Sequence, residues 1–552
     1  MKGKDNVLLR SFGFLAATFT ISPLVAFAVS AFAGAGKAGG ANKALPLLLA
    51  FISPSTLSAL KFSLVQATMS TVLALLVGFP GAFFVARYNF RGRRFFMALA
   101  AVPFCLPAIL VILSFILYYG KSGYLTLALA RLGYIPKGEG LLYSIWGLVF
   151  VHAFYNFPIV IQNVGSVWAK MPRSREEAAR TLGAGRLRSF TTGTLPYLLP
   201  SILQSASLIF LFCFFSFTIV LVFGGLAGST LEVGIYRAIR FTNDRPKALA
   251  LALLQTAIAL LVVGAFAHFD RKNAAISKDF GNPPPRRRPR SFSLLAIGAY
   301  SILIALFFLG PLFALTAEAF TVRSSLAGAS HFGLENFSRL LTGPNPLLLK
   351  AAGSSLALSG FAALAATALG FSVAASSHYA ARRGQTMKAI GFGVSMNSWI
   401  IAFPLALSPA VISAGWSALM NSSGDMLIVI GQMAIAWPFV ARSLSAAFSS
   451  IDRTRNEAAR TLGSSPLQAM IWVDAALIAP SVASAAAFAF SITMGDANIP
   501  LILGGGKRET LPLLLYRLTS SYRFSEACAV GIVLALFTSI AFFLKERTNE
   551  TS

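Results

Sequence analysis

Long apolar runs alternate with short polar segments along the whole chain. About twelve of these runs approach or exceed the roughly 20 predominantly apolar residues that a helix needs to cross a lipid bilayer. The predicted spans are residues 11–33, 62–86, 95–118, 141–164, 195–223, 248–269, 292–317, 352–377, 389–416, 426–448, 475–495 and 527–544. The pattern therefore predicts an all-α integral membrane protein with about twelve transmembrane helices.

The first apolar run also has features of a signal peptide. Lys2, Lys4 and Arg10 precede it, and small residues follow it. A signal-peptide core has about 7–15 apolar residues whereas this run has roughly 23, which favours a span that is retained. The run 44–52 is too short to cross a bilayer and fits a re-entrant or interfacial segment.

The composition agrees with a membrane protein. Hydrophobic residues make up 56% of the 552 residues and charged residues 12%. Soluble proteins carry about 25% charged residues, so the chain is not a string of soluble domains. Its high hydrophobicity also excludes a disordered chain.

The charge is strongly basic, with 46 Lys and Arg against 19 Asp and Glu and a formal net charge of +27. Nucleic-acid binding and cytoplasmic loops both produce such an excess. With the N-terminus inside, 29 of the 46 basic residues fall in the loops on that side. The positive-inside rule therefore predicts that both termini are cytoplasmic, and the charge needs no nucleic-acid partner to explain it.

The chain contains an internal repeat. The heptapeptide EAARTLG occurs at 177–183 and again at 457–463, an offset of 280, and matches at this offset continue over about 80 residues. Further upstream the similarity continues at an offset of 292. The repeat predicts two homologous six-helix bundles in the same orientation, related by a pseudo-twofold axis along the membrane normal. A pathway on that axis fits both a channel and a transporter.

These two halves are predicted to be residues 1–272 and 292–552. The segment 273–291 between them is basic and rich in proline, which is incompatible with a helix interior. We interpret it as a cytoplasmic linker whose basic residues face anionic lipid headgroups. An RNA-binding or localisation patch is the alternative.

Each copy of the heptapeptide predicts a short helix. Ser174 and Thr454 are plausible N-caps, a glutamate follows each, and Gly183 and Gly463 end the two helices. The paired alanines give strong helix propensity and a small footprint. Such a helix, held between two spans, is suited to docking into a partner's groove, and an ordinary amphipathic connector is the alternative.

These loops resemble the EAA motif of permease subunits from type I binding-protein-dependent ABC importers, and the resemblance covers nearly the whole chain as two fused permease halves. The residues that match the family pattern are Glu177, Ala178, Ala179, Gly183, Glu457, Ala458, Ala459 and Gly463. The sequence departs from the family pattern at the end of each loop. Gly193 stands where the family has an apolar residue, and Ala475 and Ala476 stand where it has Leu-Pro. The resemblance implies that each loop is a coupling helix, which fits a cleft in an ATP-hydrolysing subunit.

The chain lacks the GxxxxGK[ST] phosphate-binding loop, and GGGKRE at 504–509 lacks its first glycine. We predict a transport subunit rather than an enzyme, with no cofactor or metal of its own and with ATP and Mg²⁺ on a partner. The resemblance implies an ABC ATPase homodimer on the cytoplasmic side of a bacterial inner membrane. It also implies a periplasmic or lipid-anchored solute-binding protein on the other side. A self-sufficient channel or secondary transporter, or a membrane enzyme, is the alternative of a different class.

Ionisable residues inside spans are candidate functional sites. Asp496 lies near the outer end of the eleventh span, and the offset of 280 pairs it with Ser216 and pairs Asn498 with Thr218. We expect these four residues to face each other across the axis, where one carboxylate among hydroxyls and an amide suits a cation with polar groups. The alternative is that Asp496 caps the end of that helix.

Two further acidic residues, Glu232 and Glu509, lie in predicted outer loops, where they are docking candidates for the binding protein or solvated surface residues. TLEVGIYRAIRF in the first half and MGDANIPLILGGG in the second are similar to permeases of the thiamine importer group. Ferric-iron permeases, which are also fused double permeases, are the close alternative, and polyamine and sulfate permeases are more distant. The resemblance implies import of thiamine or ferric iron from periplasm to cytoplasm by alternating access.

Overall fold

The computed structural model describes residues 15–16, 18–30, 45–93, 96–97, 106–134, 142, 144–172, 174–223, 228–278, 284–323, 330–342, 346–382, 401–420, 424–451, 453–504 and 508–550. Helices of the first half are α1 (Thr18–Ser30), α2 (Leu45–Ile52), α3 (Pro54–Arg87), α4 (Ala108–Tyr119), α5 (Tyr124–Arg131), α6 (Ile145–Lys170), α7 (Ser174–Thr181), α8 (Arg186–Gly193), α9 (Leu195–Phe214), α10 (Thr218–Phe223), α11 (Leu231–Arg240) and α12 (Arg245–Lys278).

The second half repeats this order with one small sheet added. Its helices are α13 (Ser291–Ile304), α14 (Gly310–Ala319), α15 (Glu335–Leu341), α16 (Leu347–Arg382), α17 (Pro409–Met420), α18 (Asp425–Ser449), α19 (Arg453–Thr461), α20 (Pro466–Ala469), α21 (Ala475–Leu477), α22 (Ala479–Gly495), α23 (Asn498–Leu503), α24 (Leu511–Ser520) and α25 (Phe524–Glu550). Strands β1 (Thr321–Arg323) and β2 (Ser330–Phe332) pair antiparallel. Short π-helical segments at 305–309 and 470–474 and a 3₁₀ turn at 403–406 complete the secondary structure of the described ranges.

The membrane spans follow the hydropathy pattern. Nine segments of the described chain are long and apolar enough to cross a membrane, and a tenth is bent by 71° between Met470–Leu477 and Ala479–Gly495. The shorter apolar helix α1 lies within the predicted first span, and α17 begins within the predicted ninth span and runs four residues past its end; the remaining residues of these spans lie partly outside the described ranges. A helix satisfies its backbone hydrogen bonds within one segment, which is what the bilayer core demands. The prediction of an all-α membrane protein is confirmed.

The internal repeat appears in the packing of the long helices. Helix α3 crosses α6, and α16 crosses α18. At these crossings a Cβ added to Gly78 would lie 2.6 Å from Val160, and one added to Gly370 would lie 2.7 Å from Val440. Both contacts are too short for any side chain, so glycine permits the close approach. The two glycines are separated by the offset of 292 and the two valines by 280.

The same correspondence holds for a pair of hydrogen bonds. The backbone N–H of Leu231 donates to Ser63 Oγ at 2.9 Å, and that of Leu511 donates to Ser355 Oγ at 2.8 Å. In each half a serine on a long span thus holds the start of a short helix, α11 or α24.

The first span of each half packs against the other half. Tyr300, on α13, donates its hydroxyl to the Val77 carbonyl of α3 at 2.7 Å. The ring of Phe308 lies 4.7 Å from that of Phe157 on α6. In the opposite direction, Phe19 of α1 lies 5.0 Å from Trp416 of α17. These exchanged contacts bind the two sequence halves together.

The linker is partly structured at both of its ends. Helix α12 continues into it as far as Lys278. Arg287 donates its backbone N–H to the Arg87 carbonyl at 3.0 Å and accepts from the Asn89 N–H at 2.9 Å. The second half of the linker therefore lies against the end of α3.

Candidate solute cavity and coupling helices

Two broken helices lie where the halves meet. Helix α9 ends at Phe214 and α10 begins at Thr218, and in the second half α22 ends at Gly495 and α23 begins at Asn498. The prediction of one continuous fifth span over 195–223 is therefore wrong, because the helix is broken after Phe214. The apolar run continues through the break, and hydropathy could not locate it.

The breaks lie inside the bundle rather than at its end. Gln66 donates its side-chain N–H to the Cys213 carbonyl at 2.9 Å. Gln66 is twelve residues from the start of α3 at Pro54, which corresponds to about 18 Å along the helix axis. Non-helical backbone at such a depth is tolerated where it lines a cavity or is buried in protein.

A cavity adjoins each break. The first, of about 270 Å³, is lined by residues that include His152, Asn156, Ser216 and Thr218. The second, of about 240 Å³, is lined by residues that include Gln432, Thr493 and Asp496. Ala108 and Asn498 belong to the walls of both cavities. Together the two cavities reach the size of small-molecule sites, roughly 300–1,000 Å³.

The four residues predicted to face each other all line these cavities. Thr218 donates its hydroxyl to the side-chain oxygen of Asn498. This bond joins two positions 280 residues apart, so it connects equivalent points of the two halves directly. Ser216 and Asp496 lie on the walls of the first and second cavity respectively.

Asp496 has a capping role as well as a place in the cavity wall. Its carboxylate accepts the backbone N–H groups of Asn498 at 3.0 Å and Ile499 at 3.2 Å. Its side chain therefore caps the start of α23. Its backbone N–H donates to the Thr493 carbonyl at 3.3 Å, so Asp496 is also the C-cap of α22, as the alternative expected. An ionised carboxylate has about four acceptor positions, so two capping bonds leave capacity for a ligand.

The two EAA loops form matching helices, α7 and α19, that begin at Ser174 and Arg453. Ser174 and Thr454 therefore lie in the first turn rather than ahead of it. Gly183 and Gly463 follow with φ of +83° and +93°, the left-handed conformation that glycine adopts without strain. The residue after each glycine caps the helix end. The backbone N–H of Ala184 donates to the Ala179 carbonyl at 3.0 Å, and that of Ser464 donates to the Ala459 carbonyl at 3.1 Å.

An exposed leucine directly follows each of these polar helices. Leu182 is 89% exposed and Leu462 88%. Glu177 and Glu457 of the motif are exposed as well. An exposed large apolar side chain repeated at equivalent positions is typical of a contact surface. Sequence reasoning did not single out these leucines, although both belong to the repeated heptapeptide.

Comparison with known proteins agrees with this architecture. Residues 74–274 match the family of binding-protein-dependent transport system inner membrane components. The chain is 27% identical over 502 residues to the thiamine transport system permease protein of Brucella abortus, covering 88% of this chain and 87% of the relative. The corresponding protein of Escherichia coli is 25% identical, with 88% of each chain covered. An Fe(3+)-transport system permease protein of Haemophilus influenzae is 22% identical, covering 86% and 87%.

The family match covers most of the first half of the chain, and the similarity to these permeases extends over 86–88% of its length. These similarities and the apolar helices support a multi-pass inner-membrane protein, and the length shared with the relatives takes in most of both halves.

Helix α7, the first predicted coupling helix, is held by contacts to two spans. Glu176 pairs with Arg87 at the end of α3 and accepts the hydroxyl of Thr194 before α9. Its carbonyl also accepts from Ser189 Oγ at 2.9 Å. The linker lies beside this helix, because Arg287 Nη2 is 3.9 Å from Glu177 Oε1.

The placement of Glu232 in an exposed outer loop is wrong. Its side chain is fully buried. Its carboxylate accepts the Ala410 backbone N–H at 3.0 Å and the Gln255 side-chain N–H at 2.8 Å. Because these contacts join α11 to α12 and to α17, Glu232 holds the halves together and cannot touch a docking protein.

Glu509 keeps partial access to solvent. Its side chain is 25% exposed, and its carboxylate lies 2.8 Å from Arg517 Nη2. Partial burial raises the pKa of the Glu509 carboxyl, and the nearby Arg517 opposes that rise. Its role in docking a binding protein stays a prediction.

Proposed function

We propose that the permease carries thiamine inward across the inner membrane as the transmembrane subunit of an ATP-driven importer. The observation that carries this proposal is the pair of equivalent exposed helices, α7 and α19. Two equivalent helices suit two copies of one ATPase subunit, and Leu182 and Leu462 provide apolar anchors for its clefts. ATP and Mg²⁺ bind to that partner, and this chain supplies the pathway.

We infer that the end carrying α7 and α19 faces the cytoplasm, together with both termini. The linker arginines and the basic residues around α7 support this orientation by the positive-inside rule. A periplasmic or lipid-anchored binding protein then delivers solute at the opposite end, where Glu509 is partly exposed.

Thiamine is favoured as solute by the named relatives and by the chemistry of the cavities. Phe212, Phe215 and Phe217 line the first cavity and Asp496 lines the second. Aromatic rings and one carboxylate suit an organic cation. Ferric iron is the second candidate, because one relative carries an Fe(3+) name. Hard cations are usually held by several oxygen ligands, and Asp496 supplies one carboxylate.

The test is stimulation of ATP hydrolysis in proteoliposomes that contain the permease and its ATPase. Binding protein loaded with thiamine should stimulate hydrolysis and thiamine uptake, and binding protein loaded with ferric iron should not.

The double variant Glu177→Lys and Glu457→Lys should abolish ATPase association and uptake together, because it places cations on both docking helices.

A matched control is Glu335→Lys, an exposed charge reversal on α15 at the opposite end of the bundle. It should leave ATPase association intact. Uptake that persists in the double variant would overturn the ATP-driven mechanism. Stimulation by ferric iron alone would overturn thiamine as the solute.

A further inference from the structure

Two polar side chains outside the predicted site occupy equivalent positions in the two halves. His152, on α6, lines the first cavity, and Gln432, on α18, lines the second. Their numbers differ by the repeat offset of 280. Each residue is 2% exposed, so both are enclosed by the bundle rather than placed on its surface.

Each side chain uses one polar atom within the bundle and leaves the other unpaired. His152 Nδ1 lies 3.3 Å from Ser70 Oγ, and Gln432 Nε2 donates to the Thr493 carbonyl at 3.0 Å. Within the described ranges, His152 Nε2 and Gln432 Oε1 have no hydrogen-bond partner. Buried polar atoms are nearly always paired. Two unpaired atoms on residues of equivalent cavity walls therefore indicate groups that bind a ligand.

The two cavities differ in chemistry although their positions are equivalent. Around His152 the wall is neutral and aromatic, with three phenylalanine rings and the amide of Asn156. Around Gln432 the wall carries the carboxylate of Asp496 and the hydroxyls of Ser491 and Thr493. A flat neutral ring with hydrogen-bonding atoms fits the first wall, and a cation fits the second.

We propose that the two cavities form one divided solute site, in which His152 binds a neutral heteroaromatic ring and Gln432, with Asp496, binds an attached cationic group. The inference rests on the proposed uptake of thiamine, a molecule that has both a neutral heteroaromatic ring and an attached cationic ring. Its aminopyrimidine ring then lies on the His152 side and its thiazolium ring on the Asp496 side.

The contact between Thr218 and Asn498 lies where the two cavities adjoin, because Asn498 belongs to both walls. A solute that reaches both His152 and Gln432 must separate this pair. Both side chains are then released to bind the solute, so the contact acts as a partition that opens on binding.

The test compares uptake of thiamine with uptake of its analogue that carries an oxo group in place of the pyrimidine amino group. His152→Ala should raise KM for thiamine by about tenfold, the effect of one lost hydrogen bond to a ligand. The ratio of thiamine to analogue uptake should fall towards one. Gln432→Ala should raise KM for both compounds alike, because both keep the thiazolium ring.

Two further variants separate recognition from folding. His152→Gln keeps a hydrogen-bonding group of the kind found in the second half and should retain part of the discrimination. Thr256→Val removes another buried hydroxyl, on α12, that lines neither cavity. It should leave both KM values unchanged.

The outcomes distinguish this inference from the proposed function. If the unaltered permease takes up no thiamine, the proposed function fails, and the assignment of this solute to the divided site fails with it. If the unaltered permease takes up thiamine but His152→Ala and Gln432→Ala keep the original KM values and discrimination, the divided site alone is overturned.

Discussion

At the scale of single residues, Glu232 shows how a buried carboxyl group can join three helices. The carboxylate is fully buried and accepts donors from two other helices, the Ala410 amide at the start of α17 and the Gln255 side chain of α12. Position 512, the equivalent in the second half, is a proline. The contact is therefore specific to the first half, and it ties that half to the second.

Glu232→Ala should lower the apparent melting temperature of the detergent-solubilised permease. The change leaves the Ala410 and Gln255 donors without their acceptor, and a buried unpaired donor costs about 1–3 kcal/mol. Glu232→Gln keeps one acceptor oxygen and should lose less. The comparison is Glu509→Ala at a partly exposed site, where substitutions usually change stability by about 0.5 kcal/mol or less. A larger loss in Glu509→Ala than in Glu232→Ala would contradict this role.

At the scale of elements, α7, the first predicted coupling helix, is held by contacts to two spans. In the first half, Glu176 of α7 links Arg87 and Thr194. The equivalents of Arg87 and Thr194 are Tyr379 and Asp474, which bond to each other directly. In the first half the Glu176 carboxylate joins these two positions, and in the second half their equivalents bond to each other. If an ATPase docks at α7 as proposed, we expect this carboxylate to transmit its movement to α3 and α9.

Glu176→Gln and Arg87→Gln should each reduce thiamine uptake per ATP hydrolysed, by about two- to tenfold. The double Gln variant should lose no more uptake per ATP than the more impaired of the two single variants, because both changes break the same ion pair. Exchanging the charges, with Arg87→Glu and Glu176→Arg, should restore part of the coupling. Arg287→Gln is the control, since its exposed 3.9 Å contact with Glu177 is worth about 1 kcal/mol or less. Additive losses would show that the two residues act separately.

The elements also show what the sequence could predict. Hydropathy located the spans because a bilayer requires long apolar helices. The repeat offset paired Thr218 with Asn498, and the structure joins them. The break after Phe214 was not predictable, because apolar residues continue through it. Burial of Glu232 was hidden as well, since a short amphipathic helix can face either solvent or a neighbouring helix.

At the scale of the whole molecule, contacts between the halves close the bundle on both sides of the cavities. At the end of α11, Arg240 Nη2 donates to the Ile502 carbonyl at 2.6 Å. Towards the coupling-helix end, Arg442 of α18 pairs with Asp270 of α12 at 3.0 Å and lies over the ring of Phe266. Asp270 lies about 38 Å along α12 from its start at Arg245. Alternating access requires one of these closures to open while the other holds.

Weakening one closure should therefore admit a water-soluble thiol reagent from one side only. The probe is Ser216→Cys, on the wall of the first cavity, with the native cysteines 105, 213 and 528 replaced by serine. Arg442→Gln should speed labelling from the coupling-helix side about two- to fivefold, the effect of losing a half-exposed ion pair. Arg240→Gln should speed labelling from the opposite side instead. Each variant is the control for the other, because general loosening of the bundle would speed labelling from both sides in both variants. Side-specific labelling would mean that the two closures open independently of each other, as alternating access requires.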